Sequence, residues 1–496
     1  MGIIIRQSIQ NTILSYTGIL LGFISTILLF PNILNADQYG LTRVLLSVAI
    51  ICAQFSHLGM NNIVIRFFPY YQKSDNSRHR LLTLALSVPM AGFLLFLVLF
   101  FAFRDVLISY YSDQSGLMAE YDLYLLPLVF AVLFFEVLNS YVRSLKDSVT
   151  GSFVNEVLVR ILIITLLVVY SFGWLTFREF MILFVSSYLI QPVCMLIYLA
   201  RNRQLAFSLP FQKETRRLFK GMSVYGAYSV LGGLATLLVG NIDIIMLGAL
   251  TDLGSTAVYA IAFYVGSVIA VPQRSIGKIA SPILADMLKA KEFEEIDSLY
   301  KRTALNQLLA GSLLFVGIWA NMHNITALLP EEYDGIYWVV VIIGLAKLFN
   351  MATGVNGMII INSKHYRFDL YTNILLVILT IVTNLLLIPP YGITGAAIAT
   401  AISIFVYNFI KFLFVWIKFR MQPFQWNALG VLGIAVLSLT LSSMIPYLNN
   451  FFVDVTIRSL AIAGIFLTAV LVFHLSEDAK NLVTETWKRI RSFLKA

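Results

Sequence analysis

Long apolar segments recur along almost the whole chain of 496 residues. A helix that crosses the hydrocarbon core of a bilayer needs about 20 mainly apolar residues. Windows of that length, divided at clusters of Pro, Gly and charge, predict fourteen spans. They lie near residues 11–30, 41–59, 84–103, 123–141, 154–172, 180–200, 222–249, 256–272, 303–320, 336–354, 370–388, 393–415, 427–446 and 457–475. The pattern predicts an all-α polytopic membrane protein.

The composition points the same way, since 59% of the residues are hydrophobic and only 12% are charged. Soluble chains carry about 45–50% apolar and about 25% charged residues. The two cysteines, Cys52 and Cys194, lie inside apolar segments and predict no disulfide framework. Residues 1–10 lead straight into the first span without a small-x-small cleavage site, which favours a retained first helix over a signal peptide.

The net charge of +9 is explained by the side of the membrane on which Lys and Arg fall. If both termini are cytoplasmic, most cations lie in the inner connections, as the positive-inside rule requires. The outer connections hold only Arg43, Arg104, Arg178 and Arg458. We therefore predict cytoplasmic termini and a basic inner face in contact with anionic lipid headgroups, with no nucleic-acid partner.

Two basic inner connections, near 201–221 and 273–302, are the longest. The first divides the chain into similar halves, as in transporters built from two repeats. The predicted parts are an N-lobe of six helices at 1–200, a basic linker at 201–220, a C-lobe of six helices at 221–416, two extra helices at 427–475, and a tail at 476–496. The tail has the spacing of an amphipathic helix on the inner membrane surface, although a solvated tail explains it as well.

A weak internal repeat supports the division of the chain into two halves. Asp37 precedes a span and Pro69, and Asp252 precedes a span and Pro282, at similar distances. Both prolines are predicted to close a helix that returns to the inner face.

Catalytic motifs are absent from the sequence. There is no G-x-x-x-x-G-K-[ST] loop, no H-E-x-x-H pair and no G-x-S-x-G elbow, and the five His residues have no metal spacing. We therefore expect a transporter rather than an enzyme.

Ionisable residues inside predicted spans are costly in hydrocarbon and are therefore candidates for function. The candidates for a substrate site are Arg66, Glu136, Arg160, Arg274, Lys347 and Asn350. Lys347 favours a polar cavity or an anionic ligand, because no acidic residue stands within one helical turn of it in sequence.

Structural alternatives exist for the other candidates. Glu156 and Arg160 have the i,i+4 spacing of a simple helical ion pair, and Glu136 is a second candidate partner of Arg160. Arg66 and Arg274 flank the inner ends of spans, where long side chains reach the headgroups.

Two segments resemble a known transporter superfamily. Residues 241–286, "NIDIIMLGALTDLGSTAVYAIAFYVGSVIAVPQRSIGKIASPILAD", and residues 384–403, "NLLLIPPYGITGAAIATAIS", resemble helices seven and eight and helices eleven and twelve of the multidrug/oligosaccharidyl-lipid/polysaccharide exporter superfamily. Fourteen spans in a 6 + 6 + 2 arrangement match its polysaccharide exporter branch. The resemblance implies a flippase that moves undecaprenyl-pyrophosphate-linked oligosaccharides across a bacterial inner membrane by alternating access.

The resemblance also suggests roles for residues. A pyrophosphate headgroup needs a polar cavity with cations, for which Arg66, Arg160 and Lys347 are available. Lipid II flippases of the superfamily carry arginines on the first, second and eighth spans. Here the first span has none, and Gln54 and Tyr264 stand near the other two positions, which argues against lipid II as substrate.

Some members of the superfamily bind Na⁺ between spans seven, eleven and twelve. The matching residues here are Asp243, Thr380, Asn384 and Thr400. They predict a Na⁺ site with one carboxylate, or an H⁺ site at Asp243 alone, and no other cofactor.

Two other functions stay open at this point. One is a multidrug–cation antiporter of the same fold, which the cations in the spans disfavour. The other is a membrane glycan polymerase or ligase, which the short outer connections disfavour. Besides substrate and bilayer, a glycan polymerase and other assembly proteins are candidate partners, and a monomer is expected.

Overall fold

The computed structural model describes residues 2–71, 75–112, 116–208, 213–478 and 480–481. All regular secondary structure in these ranges is helical, as the sequence predicts. Packing contacts divide the chain into an N-terminal unit, 1–260, and a C-terminal unit, 261–496. This boundary lies later than the predicted linker at 201–220, because the helix Lys213–Leu250 packs on the helix Ala36–Ser56 within the N-terminal unit.

The N-terminal unit consists of helices joined by short connections. They are α1 Gly2–Phe23, α2 Phe30–Ile33, α3 Ala36–Ser56, α4 Met60–Phe67, α5 Asp75–Ser112, α6 Gly116–Tyr121, α7 Leu125–Ser144, α8 Val149–Phe153, α9 Val159–Ser171, α10 Phe177–Arg201 and α11 Lys213–Leu250. Two π-helical segments, Ile24–Leu29 and Val154–Leu158, continue α1 into α2 and α8 into α9. Helix α12, Leu253–Val268, contains the boundary between the units.

The C-terminal unit continues with eight helices in the described ranges. They are α13 Val271–Ala290, α14 Phe293–Ala320, α15 Met322–Thr326, α16 Ile336–Ala352, α17 Asn356–Asn362, α18 Tyr366–Phe419, α19 Trp426–Ser443 and α20 Phe451–Val472.

Every predicted span overlaps one of these helices. Ten helices are long and apolar enough to cross a membrane, and two bent pairs, α12 with α13 and α16 with α17, bring the number to 12 in the described residues. Helix α18 counts once there although it contains two predicted spans, and α11 carries the shorter apolar stretch Gly240–Leu250. The structure is therefore consistent with about fourteen spans.

Three predicted spans end at a break in the helix, and a second helix continues the chain directly after it. Helix α3 ends at Ser56, and Leu58 and Gly59 adopt left-handed backbone angles before α4 begins. The pairs α12–α13 and α16–α17 each bend by more than 40°, the second by 50°. Breaks in a span leave backbone groups without helical partners, so they are tolerated where the backbone is buried in protein or lines a polar cavity.

The sequence predicts a long connection at 273–302, but this segment is helical in the structure. Helices α13 and α14 occupy almost all of it and leave only Lys291 and Glu292 between them. Pro282 lies inside α13 and does not close a helix. The long basic stretch misled the prediction because an amphipathic helix can present its cations on one face.

Helix α18 is two helices joined by a sharp turn. Its 54 residues would extend about 80 Å as one straight helix, far more than a bilayer of about 30 Å. Gly392 breaks it with φ 53° and ψ −130°, a backbone conformation that side chains other than glycine rarely allow. Pro389 and Pro390 precede the break, and the absence of a Cβ at Gly395 lets the second half approach the carbonyl of Leu387.

Arg458, assigned by sequence to an outer connection, lies buried on α20. Its guanidinium pairs with Asp454 at 3.1 Å and donates to the carbonyl of Ser442 at 2.8 Å. Asp454 also accepts a hydrogen bond from Asn324 at 2.6 Å. The ion pair therefore joins α20 to α15 and to the end of α19.

The start of the predicted tail is attached to α14. Asp478 accepts hydrogen bonds from Arg302 at 2.5 Å and from Asn306 at 2.7 Å. The bond from Arg302 holds the pKa of Asp478 below its usual value. The predicted amphipathic helix falls mostly on residues 482–496, outside the described residues.

Gly92 provides a test of the packing between α5 and the end of α3. A Cβ at Gly92 would lie 1.9 Å from the carbonyl oxygen of Ser56, which is backbone and cannot rotate away. We expect Gly92→Ala to lower the free energy of unfolding by about 1–3 kcal/mol, measured by thermal unfolding in detergent. Gly433→Ala is the matched control because nothing lies within 4 Å of its Cβ position. Equal melting temperatures for both variants would contradict this packing.

Candidate functional site

A polar cavity of about 520 Å³ lies in the C-terminal unit. Its lining comes from α13 and from the bent pair α16–α17, together with the residue before α13. The lining residues are Ala270, Gln273, Arg274, Gly277, Lys347, Asn350 and Met358. The cavity therefore lies beside both bent pairs, where broken spans are tolerated in a membrane.

Small and flexible side chains shape this cavity. A Cβ at Gly277 would come within 2.5 Å of the Met358 methyl carbon, so glycine lets α13 and α17 approach closely. Asn350 Nδ2 donates to Gln273 Oε1 at 2.9 Å, which joins α16 to α13 across the cavity wall. The amide pair fixes the distance between the two helices.

The charge of the cavity is positive. Arg274 is exposed in the cavity wall and Lys347 is half-buried, with its Nζ 5.1 Å from the ring centre of Phe263. None of the seven lining residues carries a carboxylate. Two cations with amide donors around one cavity form a site suited to phosphate or another oxyanion.

Three of the residues predicted for a substrate site thus meet around one cavity: Arg274, Lys347 and Asn350. Arg274 is far in sequence from Lys347 and Asn350, which are neighbours on α16, and the fold places α13 beside them. Arg274 lies in the first turn of α13, just after the predicted span at 256–272, and forms part of the cavity wall.

Arg66 lies in the N-terminal unit, in the last turn of the short helix α4. Its guanidinium carbon stands 4.2 Å from the ring centre of Tyr225 on α11, and the side chain is exposed. This cation–π contact orients Arg66 while it leaves the charge available.

Arg160 pairs with Glu156, at 3.2 Å, as the i,i+4 alternative predicted. It also donates to the backbone carbonyl of Gly18 on α1. Glu136 is exposed on α7 and makes no ion pair with Arg160 in the described part of the chain. Glu156 belongs to the π-helical segment Val154–Leu158, and π-bulges in helices are frequent at functional sites.

Arg43 is a cation that the sequence analysis misplaced. It lies two turns inside α3 rather than in a connection, because Asn35 caps the helix by accepting a hydrogen bond from Gln38 N. Its guanidinium donates to Tyr39 Oη at 2.9 Å and to Thr26 Oγ1 at 3.3 Å. Reading Asn35 as a helix cap would have shown this position.

Lys411, near the end of the predicted span at 393–415, is also counted by sequence among the cations of the inner connections. Helix α18 continues to Phe419, so Lys411 lies within it, buried, and pairs with Asp369 at 2.6 Å. Three cations at the charged ends of the predicted spans 41–59, 393–415 and 457–475 thus lie inside helices: Arg43, Lys411 and Arg458.

The residues predicted for a cation site are all buried. Asp243 belongs to the N-terminal unit, and its Oδ2 accepts a hydrogen bond from Tyr259 at 2.6 Å. Thr380, Asn384 and Thr400 lie on the two halves of α18 in the C-terminal unit, and Thr380 donates to the carbonyl of Leu376 at 2.8 Å. The described residues contain no cluster of three His, Cys, Asp or Glu side chains that fits a metal ion, and the Na⁺ or H⁺ site stays a prediction.

Comparison with known proteins adds the following findings. The sequence profile of a family described as polysaccharide biosynthesis protein matches residues 4–288. An uncharacterized membrane protein of Methanocaldococcus jannaschii is 22% identical over 488 residues, which cover 93% of this chain and 94% of that protein. The probable low-salt glycan biosynthesis flippase Agl15 of Haloferax volcanii is 22% identical over 231 residues, 46% of this chain and 48% of that protein.

Two solved structures share the fold. The lipid II flippase MurJ in an inward closed conformation gives a TM-score of 0.75 at 14% identity and covers 96% of this chain and 100% of its own. An inward-facing multidrug resistance MATE family transporter of the MOP superfamily gives 0.60 at 16% identity, over 84% of this chain and 94% of its own. At such identities the likeness shows the fold alone.

The cavity itself can be tested with an anion. We expect Lys347→Ala to weaken the affinity of inorganic pyrophosphate by about tenfold or more, because a charge-assisted hydrogen bond contributes about 1.5–3 kcal/mol. Calorimetric titration of the full chain in detergent measures this affinity. Lys364→Ala, which removes an exposed lysine between α17 and α18, is the control and should bind as the wild type does. Undiminished binding by Lys347→Ala would exclude Lys347 from the site.

Proposed function

The chain belongs to the polysaccharide biosynthesis protein family, and from this premise we propose that it is a flippase for a lipid-linked oligosaccharide. The proposed substrate is an undecaprenyl-pyrophosphate-linked repeat unit of O-antigen, capsule or exopolysaccharide. The proposed location is the bacterial cytoplasmic membrane, with both termini in the cytoplasm. Agl15, a partial relative, is named as a probable glycan biosynthesis flippase, which supports the class of substrate.

The observation that carries the proposal is the cavity beside Arg274 and Lys347. A flippase must hold the pyrophosphate of its substrate inside the membrane, where an anion without counter-charges is costly. Arg274 offers a planar fork of donors for phosphate oxygens and Lys347 a compact charge. The paired amides of Gln273 and Asn350 add polar groups that orient a headgroup or the first sugar.

The same observation weighs against the multidrug–cation antiporter. A cationic drug requires acidic partners, and the lining residues contain none. Specificity arises from repulsion as well as attraction, and two cations in the cavity repel such a ligand.

The proposed transport cycle is alternating access. The headgroup binds the cationic cavity while the prenyl chain remains in the lipid, and exposure of the cavity changes from one side of the membrane to the other. Arg66, on the predicted inner side, is proposed to attract the headgroup before it enters. Arg160 is proposed to contribute through its pairing with Glu156 in the N-terminal unit.

The proposed source of energy is a gradient of Na⁺ or H⁺, or downhill exchange, because the sequence lacks a nucleotide-binding loop. Asp243, Thr380, Asn384 and Thr400 are the proposed ion ligands. We propose no enzymatic activity, and a glycan polymerase and other assembly proteins as functional partners of a monomer.

Deletion of the gene tests the function directly. We expect the lipid-linked repeat unit to accumulate on the cytoplasmic leaflet and the surface polysaccharide to disappear, since synthesis of the unit continues while its transfer stops. Extraction of lipid-linked glycans and staining of surface polysaccharide measure the two quantities. Wild-type protein should restore the surface polysaccharide, and Lys347→Ala at equal expression should not.

The rival function predicts the opposite result. Unchanged surface polysaccharide together with new sensitivity to cationic drugs would contradict the flippase and support the antiporter.

A further inference from the structure

Four side chains close a ring of hydrogen bonds between the two halves of α18. Asp369 and Asn373 lie before the break at Gly392, and Tyr407 and Lys411 lie after it. Lys411 Nζ donates to Asp369 Oδ1 at 2.6 Å and to Tyr407 Oη. Tyr407 Oη donates to Asn373 Oδ1 at 2.9 Å, and Asn373 Nδ2 donates to Asp369 Oδ2 at 2.9 Å.

This ring is shielded from solvent. The side chain of Lys411 is 4% exposed and that of Asp369 is 15% exposed. Helix α17 covers the ring at Gly357, where a Cβ would lie 3.4 Å from Lys411 Nζ. A buried ion pair is expensive to separate, because each charge is left in a medium of low polarity.

The ring contains its own titratable groups. Tyr407 interacts electrostatically with Lys411 and Asp369, and α17 carries only Asn, Gly, Met and Ile. The ionisable members of the ring are Asp369, Tyr407 and Lys411. Close to it, His365 lies one turn before Asp369 with its ring against Phe414. Helix α16, which also packs on α18, carries Tyr337 and Lys347. If α17 or one half of α18 moves and Lys411 leaves Asp369, the carboxylate loses its counter-charge and favours a proton instead.

A path from the ring to the polar cavity runs first along helix α18 and then through hydrogen bonds. Asn408 lies one turn before Lys411, and its Oδ1 is 3.2 Å from Thr353 Oγ1. That hydroxyl also donates to the carbonyl of Asn350 at 2.8 Å. The side chain of Asn350 donates to Gln273 in the cavity wall.

The path crosses a point where the backbone bends. Thr353 caps the end of α16, and the 50° bend to α17 begins there. A movement of α16 relative to α17 changes the cavity at Asn350 and the cover of the ring at Gly357 together. Both ends of the path lie in the C-terminal unit, which makes the coupling internal to that unit.

We propose that the Asp369–Lys411–Tyr407–Asn373 ring is a proton-binding site linked to the anion-binding cavity. This site is separate from the predicted ion ligands around Asp243. The proton is taken up by Asp369 when the ring opens and is released when Lys411 pairs with it again. The inference rests on the proposed function only for the identity of the anion that fills the cavity.

The first experiment measures the affinity of inorganic pyrophosphate for the full chain in detergent between pH 5.5 and 8.5. Pyrophosphate itself titrates in this range, so the comparison is between wild type and Asp369→Asn at each pH. We expect the ratio of the two affinities to change by about fivefold or more across this pH range. Fivefold is about the smallest change in affinity that coupled sites usually show. A constant ratio would overturn the link.

Two further variants separate the ring from general stability. Thr353→Val leaves the ring intact and removes the hydroxyl that connects Asn408 to Asn350. Its affinity for pyrophosphate should therefore lose the same pH dependence as that of Asp369→Asn. This variant replaces Asp369→Asn in the experiment if Asp369→Asn does not fold. Asp454→Asn breaks another buried ion pair, whose described contacts reach α15 and α19 rather than the cavity, and should keep the wild-type pH dependence. The loss of pH dependence in Asp454→Asn would contradict a specific role for the ring.

A second measurement does not need the anion. Hydrogen exchange of residues 353–365 should become faster in wild type relative to Asp369→Asn as the pH falls, because protonation of Asp369 opens the ring beneath α17. If pyrophosphate fails to bind wild type, the proposed cavity function fails, while this measurement still decides the proton site. Equal exchange in both proteins at every pH would overturn the proposal.

Discussion

Hydrocarbon offers no hydrogen-bond partners to a peptide backbone, and this constraint governs where the chain can interrupt a helix. Ten helical stretches of the described residues are long and apolar enough to cross a membrane. Breaks lie after Ser56, between α12 and α13 and between α16 and α17, and Gly392 forms the turn between the two halves of α18. Two of these breaks border the polar cavity. There the interruptions and the polar groups occur together, as the cost of exposed backbone requires.

The buried cations serve different purposes in the two units. In the N-terminal unit, Arg160 joins α9 to α1 through Glu156 and the Gly18 carbonyl, and Arg43 joins α3 to the π-helical segment at Thr26. In the C-terminal unit, Arg458 is fully neutralised by Asp454 and carbonyl oxygens, which is the pattern of a structural ion pair. Lys347 and Arg274 differ from these because they face a cavity whose lining has no acid. The surroundings of each cation, rather than its position within a predicted span, distinguish a structural cation from a candidate for anion binding.

Hydropathy was sufficient to predict the class of fold and about how many spans there are, since burial in a membrane requires long apolar segments. The count of charges by side misjudged the ends of the spans, because it assigned cations in the end turns, such as Arg43 and Lys411, to connections. The helix cap at Asn35 carried the missing signal for Arg43. The meeting of Arg274 with Lys347 had no local signal at all, because it depends on how α13 and α16 bend and pack. Pro282 shows the reverse error, a helix breaker that the structure accommodates inside α13.

The turn at Gly392 has a consequence for how the protein is made. The connection at 389–392 carries no charge, whereas Lys364, Arg367, Lys418 and Arg420 lie near the ends of the two halves of α18 that are away from the turn. Basic residues are retained on the cytoplasmic side during insertion, while an uncharged turn crosses the bilayer readily. The two halves can therefore enter the membrane together as a helical hairpin, with their orientation determined within the pair.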